Sequence, residues 1–336
     1  MALQRLELCW LPTPIHPLRR ISESVGAEIW IKRDDLSGFG MGGNKARKLE
    51  YLIPHALSLG CTAVVTSGSA QSNSIRQSAA ACAVYGLRCE AVVMDFPYDE
   101  QAGKPEGVPL SAEGGNRLLS EMAGAKIHHL PDGPWEVLFE AVENLAMELE
   151  AEGEMVYRLP VGGSSGVGSY GFYVAAKEIL EQGPEFDVVI APSSSGGTHV
   201  GLAAGLKGEK PRLIGISADP EPQLAEEFAE IAAEMHAVAP DVPLIRREDL
   251  ELNLDYVGPG YCVPSEAGNE AIRMLWAEEG ILLEPIYNGK AFAGMLDLIR
   301  TGEINGRILF WHTGGAPAFF AMAPEQILPP AVPFKF

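Results

Sequence analysis

The chain has 336 residues, 47% of them hydrophobic, and a formal charge of −20. That is ample for the core of an enzyme-sized chain of two lobes, and it excludes a disordered polymer. The acidity, with no Lys/Arg-rich block to offset it, would repel a phosphate backbone, so nucleic acid is not an expected partner.

From the N-terminus, Met1-Ala2-Leu3-Gln4-Arg5 lacks the apolar stretch of a secretory signal. No apolar run reaches membrane-spanning length, so no membrane partner and a cytoplasmic address are expected. Cys9, Cys61, Cys82, Cys89 and Cys262 are odd in number and form no C-x-x-C pair, which reads as buried thiols in a reducing compartment. The prolines at 12, 14 and 17 forbid helix and predict an extended arm. A short helix is expected over Ile21 to Val25, then a strand over Glu28 to Arg33.

Next comes Gly42-Gly43-Asn44-Lys45-Ala46-Arg47-Lys48-Leu49-Glu50, after further glycines at 38 and 40. Leu49, Leu52, Ile53 and Ala56 recur at helical spacing, which puts Lys45 at a strand-loop-helix junction. The glycines let backbone approach a ligand there, and the first helical N–H groups favour an anion. A lysine so placed can stand as a solvated helix-start charge, neutralise a phosphate or, once desolvated, attack a carbonyl. We read it as a nucleophilic amine.

Cys61 to Thr66 is a β-branched, apolar run of the kind expected for a buried parallel strand, followed by a polar loop from Ser67 to Ser74. A helix over Ile75 to Tyr85 and a strand over Cys89 to Met94 complete a β-loop-α-β unit, whose ligands sit beyond strand C-termini. Residues 97–112 read as an exposed loop, Asn116 to Met122 as a helix and Trp135 to Glu152 as an acidic helix. His128 and His129 lie on a strand between those helices. They point to opposite faces and have no partner in ligand spacing, so no metal is expected.

Val161 to Gly168 is a second Gly/Ser loop, read here as a hinge, before a helix over Tyr170 to Gln182. A strand from Phe186 to Ala191 ends in Pro192-Ser193-Ser194-Ser195-Gly196-Gly197-Thr198-His199, ahead of an alanine-rich helix. Backbone N–H groups, hydroxyls and the helix dipole can converge there on one anion. The loop lacks a Walker lysine, so a monophosphate fits better than a nucleoside triphosphate. A merely tight turn is the plain alternative. Further on, a strand is expected over Leu213 to Ser217, an acidic helix over Pro222 to Ala237, a stiff turn from Tyr256 to Pro264 and a helix over Glu266 to Glu279. Leu282 to Lys290 reads as a short strand running into a helix, and Arg307 to His312 as a last strand.

An activatable lysine, a monophosphate cradle and no metal set suggest pyridoxal 5'-phosphate (PLP). The resemblance then becomes specific. Lys32-Arg33-Asp34-Asp35, the Gly42 to Glu50 stretch, Gln71-Ser72-Asn73, Ser195-Gly196-Gly197-Thr198, Pro285-Ile286-Tyr287 and His312-Thr313-Gly314-Gly315-Ala316-Pro317 follow one another in this order. The chain therefore resembles the 1-aminocyclopropane-1-carboxylate deaminase/D-cysteine desulfhydrase family, over nearly its whole length. This resemblance implies an α/β, two-lobed fold-type-II PLP enzyme with open, parallel twisted sheets flanked by helices. It implies a large cofactor-binding domain of 1–47 with 158–336, a small domain of 48–157, and a homodimer.

By position, the resemblance implies that Lys45 binds the cofactor aldehyde and later moves the Cα proton. Asn73 would bond the cofactor's 3'-oxygen, and Ser72 would hold the substrate carboxylate or assist proton transfer. Ser194, Ser195, Gly196, Gly197 and Thr198 would hold the phosphate, while Tyr261 and Tyr287 would face the substrate. Asn288 and Thr313 would also contact the cofactor: Asn288 stands where the family's deaminases have a glutamate partnering the pyridine nitrogen, and Thr313 where they have leucine. A neutral amide makes the ring a weaker electron sink, so both differences point away from cyclopropane opening. Ser74 and Asn288 also depart from the desulfhydrases, which commonly show histidine and a small hydroxyl residue there. The expected reaction is β-elimination from a small amino acid with a β-sulfur leaving group. D-cysteine comes first, giving hydrogen sulfide, ammonia and pyruvate. Cysteate sulfo-lyase or another D-amino-acid ammonia-lyase is the alternative, with the cyclopropane deaminase behind both.

Overall fold

The computed structural model describes residues 3–328. A six-stranded sheet runs in the order Ile15–Pro17, Glu28–Arg33, Arg307–His312, Val188–Ser193, Arg212–Ser217, Leu252–Asn253. All its pairings are parallel except the first, where Ile15 lies opposite Lys32 in an antiparallel edge pair. The proline-rich arm thus contributes an edge strand, a position where a missing N–H costs no ladder bond. A second, four-stranded parallel sheet runs Lys126–His129, Arg88–Met94, Ala63–Ser69, Val156–Arg158. Parallel strands need helical crossovers that cover both faces, which is why all seven residues of Ala63–Ser69 are buried.

Among the differences from the sequence reading, three concern the elements around Ser72 and Asn288. The strand expected to stop at Thr66 runs on to Ser69, because Ser67, Gly68 and Ser69 pair with Val92, Val93 and Met94. The next helix begins at Asn73 rather than Ile75, with the Ser72 hydroxyl accepting from the Ile75 N–H at 3.3 Å as its N-cap. The short strand expected before Asn288 is absent, since Glu284 draws that backbone into a turn around its carboxylate.

The Lys45–Ser58 helix is anchored at its start by buried charge. Arg47 donates to both oxygens of Asp34 at 2.8 and 2.9 Å and to Glu178 on the neighbouring Gly166–Gln182 helix at 3.0 Å. Asp34 also accepts from Thr13 Oγ1 at 2.8 Å and from Trp311 Nε1 at 2.9 Å. The arm, two central strands and the Lys45–Ser58 helix therefore meet on one carboxylate, and Arg47 joins a second helix to it through Glu178. Gly42, at φ 71, makes the approach possible: a Cβ there would sit 1.8 Å from the Asp35 carbonyl oxygen.

Breaking one partner of a buried pair strands the other charge. Arg47→Met is expected to lower stability by about 3–5 kcal/mol in urea denaturation of the apoprotein. A loss under about 1 kcal/mol would show that the cluster does not anchor the helix.

Candidate active site

Six strand C-termini deliver the site. Behind Glu28–Arg33 comes the loop to Lys45, behind Ala63–Ser69 the Gln71-Ser72-Asn73 turn, and behind Val156–Arg158 the Val161–Gly163 turn. Val188–Ser193 leads to Ser194–Thr198, Arg212–Ser217 to Asp219, and Arg307–His312 to Thr313. One cavity is lined by Lys45, Ser72, Asn73, Ser194, Ser195, Gly196, Thr198, Tyr261, Tyr287 and Thr313.

Lys45 is the first residue of its helix, and the part of it left accessible forms cavity wall. Burial depresses its amine to about 8, against a weaker opposing pull from Asp219. A useful fraction is thus unprotonated near neutral pH. The preceding Asn44 fixes this end of the helix: its N–H donates to the Thr313 carbonyl at 2.9 Å and its amide to Thr198 Oγ1 at 3.0 Å.

The Ser/Gly loop forms a cradle at the N-terminus of the Gly197–Leu206 helix. Ser195 and Ser164 hydroxyls lie 2.9 Å apart, and Ser164 Oγ accepts from the Gly197 N–H at 3.0 Å. Lys48 Nζ, buried by the same loop, donates to the Gly162 carbonyl at 3.0 Å and to Ser164 at 3.1 Å. Burial, with repulsion from Lys45 behind it, holds the Lys48 amine well below its ordinary value. An anion in the cradle relieves both effects. The cradle also has no room for a side chain at its glycines. A Cβ on Gly162 would fall 2.1 Å from Ser195 Oγ and 3.1 Å from Lys45 Nζ; one on Gly197 would fall 2.8 Å from Lys48 Nζ and from Ser164 Oγ. Hydroxyls, helix N–H groups, a lysine cation and a nearby free amine are the donor set a phosphorylated aldehyde requires, so these residues fit PLP.

On the other side, the phenol oxygens of Tyr261 and Tyr287 are 2.7 Å apart. Burial pushes both well above the ordinary phenol value, so both remain neutral and able to donate. Asn73 Oδ1 accepts from Asn116 Nδ2 at 2.9 Å, which orients the Asn73 amide. Asn288 is not on the wall. Its Oδ1 accepts from the Thr313 N–H at 2.9 Å and hydroxyl at 3.2 Å, and its Nδ2 donates to the Gly314 carbonyl at 2.8 Å. Behind it, Glu284 accepts from the backbone N–H groups of Ile286, Tyr287 and Asn288. Asn288 therefore stands one layer back, holding Thr313, where the sequence reading had it touch the cofactor.

The Val161–Gly168 loop, read from sequence as a hinge, forms cavity wall through Val161 and Gly162 and supports the cradle through Ser164. Its position after a strand C-terminus was the available signal. Lys48 was also missed, although it sits three residues beyond Lys45 on the same helix face. Asp219, two residues past a strand end, and Lys290, whose Nζ donates to the Gly260 carbonyl at 2.8 Å beside Tyr261, carry no local pattern that marks them.

Parallel sheets that bring a desolvated lysine to a phosphate cradle define a fold-type-II PLP enzyme. Residues 6–314 match the family described as "Pyridoxal-phosphate dependent enzyme", and the chain belongs to it. Among its relatives is a D-cysteine desulfhydrase of Salmonella newport, 41% identical over 333 residues that cover 96% of this chain and 97% of the relative. A solved structure described as an ACC deaminase homologue superposes with a TM-score of 0.84 at 36% identity, over 94% of this chain and 93% of its own. A hydrogen sulfide-producing enzyme from Fusobacterium nucleatum shares the fold at TM-score 0.63 and 19% identity, over 91% of this chain and 96% of its own.

Gly197→Ala is expected to weaken PLP retention at least about tenfold in equilibrium dialysis, with an unchanged far-ultraviolet spectrum. Unaltered affinity would place the phosphate elsewhere. Titration supplies a second check. Between about 8, where burial holds Lys45, and 10.5, its ordinary value, the unfolded chain binds the more protons, so this group's contribution to stability rises with pH. The denaturation midpoint of Lys45→Met apoprotein should rise less across that window than that of the wild type. An identical rise would mean that Lys45 is not desolvated.

Proposed function

We propose that the enzyme converts D-cysteine and water to hydrogen sulfide, ammonia and pyruvate by α,β-elimination. The observation that carries this reading is the depressed Lys45 amine between an anion cradle and a pair of neutral, hydrogen-bonded phenols. The similarity to D-cysteine desulfhydrase supports it. Bound at Lys45, PLP supplies the aldehyde that takes an amino group and the conjugated ring that spreads the electron pair left when Cα–H breaks.

The chain's own groups divide the remaining work. Lys45 takes the Cα proton from the substrate. Ser72, at the N-terminus of the Asn73–Tyr85 helix, holds the substrate carboxylate, where the helix dipole adds to the hydroxyl. Tyr261 and Tyr287, sharing one hydrogen bond, donate a proton toward the departing sulfur. Ser194, Ser195, Gly196, Gly197 and Thr198 bind the phosphate with Lys48 beside them, and Asn73 binds the 3'-oxygen. Thr313, held by Asn288, offers the pyridine nitrogen a hydroxyl rather than a carboxylate. A weak electron sink suits a reaction in which thiolate leaves as the proton is lost.

We place the enzyme in the cytoplasm as a homodimer, with a larger domain of 1–47 and 158–336 and a smaller one of 48–157. The separate sheets support the division, the five free cysteines support a reducing setting, and the family resemblance supports the dimer.

Purified holoenzyme is expected to release sulfide and pyruvate in equal amounts from D-cysteine. Lys45→Ala should lower the rate at least about 10³-fold. Pyruvate without sulfide, or a Lys45→Ala enzyme of undiminished rate, would overturn the reading.

A further inference from the structure

Asp219 follows the Arg212–Ser217 strand, and Ser217 fixes its backbone: Ser217 Oγ accepts from the Asp219 N–H at 3.1 Å and donates to its carbonyl at 2.8 Å. Only 4% of the residue is exposed. It lines a wider cleft that opens beside the cavity and shares Ser194, Ser195 and Tyr261 with it. Asp99, Glu136, Glu221 and Glu227 line that same cleft. Arg158 is the one basic residue in its wall, and Glu143 at 2.7 Å and Glu150 at 2.6 Å already neutralise it.

From this geometry we propose that Asp219 is a specificity-determining residue: it restricts the site to amino acids whose side chain is uncharged or cationic and rejects those carrying sulfonate, phosphate or a second carboxylate. The inference rests on the elimination reading above and narrows its substrate class. An amino acid side chain reaching toward the paired phenols comes up to the cleft whose wall Asp219 shares with Tyr261. A thiol meets a hydrogen-bond acceptor there. A sulfonate meets a like charge in a poorly solvated wall, and a row of further carboxylates along the way in. Burial raises the Asp219 carboxyl to about 6, which leaves it mostly ionised at neutral pH, and Lys45 and Lys290, each lowered by burial to about 8, are the cations that oppose it. The nearby Glu221 carboxyl is pushed up to about 8 by burial and by Asp219 and is largely neutral near pH 7, so the further negative charges of the cleft are Asp99, Glu136 and Glu227.

The test titrates holoenzyme with D-alanine, D-cysteate and 2,3-diaminopropionate and reads each dissociation constant from the visible absorption of the bound cofactor. Pyruvate release from D-cysteine is followed separately. In the wild type, D-cysteate should bind at least about 30-fold more weakly than D-alanine, with 2,3-diaminopropionate no weaker than D-alanine. In Asp219→Asn, and in Asp219→Ser as a second variant, the D-cysteate to D-alanine gap should shrink at least about tenfold. Equal wild-type affinity for D-cysteate and D-alanine, or a gap that both variants leave intact, overturns the proposal. The wild-type comparison decides it even where a variant does not fold. A wild type that discriminates in binding but releases no pyruvate would sink the elimination reading and leave the role of Asp219 standing.

Discussion

Three cations enter the protein within four residues, and the structure depends on treating them differently. Arg47 is fully compensated by Asp34 and Glu178, so it remains charged and holds the helix in place. Lys48 is given neutral acceptors, the Gly162 carbonyl and Ser164, which makes it receptive to an anion. Lys45 receives only a distant carboxylate and bears the full cost of desolvation. The amine stands where a helix start is pinned within its own first turn by Arg47. The same burial that would destabilise an isolated lysine is sustained here by the Asp34 cluster beneath it.

Polarity across the cavity follows from the same economy of charge. Glu284 is spent on three backbone N–H groups, and Asn288 holds the neutral hydroxyl of Thr313. The acidic groups gather instead at the cleft with Asp219. Negative charge is thus withheld beside Thr313 and gathered in the cleft with Asp219. Both features favour a labile, uncharged leaving group over a chemically demanding one.

Much of this was legible in the sequence. Apolar spacing marked the Lys45–Ser58 helix, whose Leu49, Leu52, Ile53 and Ala56 are all buried, and the β-branched runs marked the parallel strands. The lysine, the Ser/Gly loop and the two tyrosines could be found because each carries a local signature or a motif. What was not legible depended on which strand ends meet in space. The Gly162 to Ser164 turn reads as a hinge until Ser164 is seen against Ser195, and Asp219 reads as an ordinary loop acid until its cleft is seen. That Asn288 bonds Thr313 could not be read either, because sequence fixes a residue's position along the chain but not the layer it occupies. The extra turn of pairing at Ser67–Ser69 escaped for a related reason, since serine and glycine are poor strand formers overridden by their partners.

Lys45, rather than Lys48 or Lys290, is the amine we propose to carry the cofactor. Desolvation depresses the basicity of all three lysines. Reduction of holoenzyme with borohydride, followed by digestion and mass spectrometry, discriminates among them directly. The account predicts one pyridoxyl group per chain, on the peptide carrying Lys45 at that residue. A pyridoxyl group on Lys48 or Lys290, or none on the chain, would contradict it.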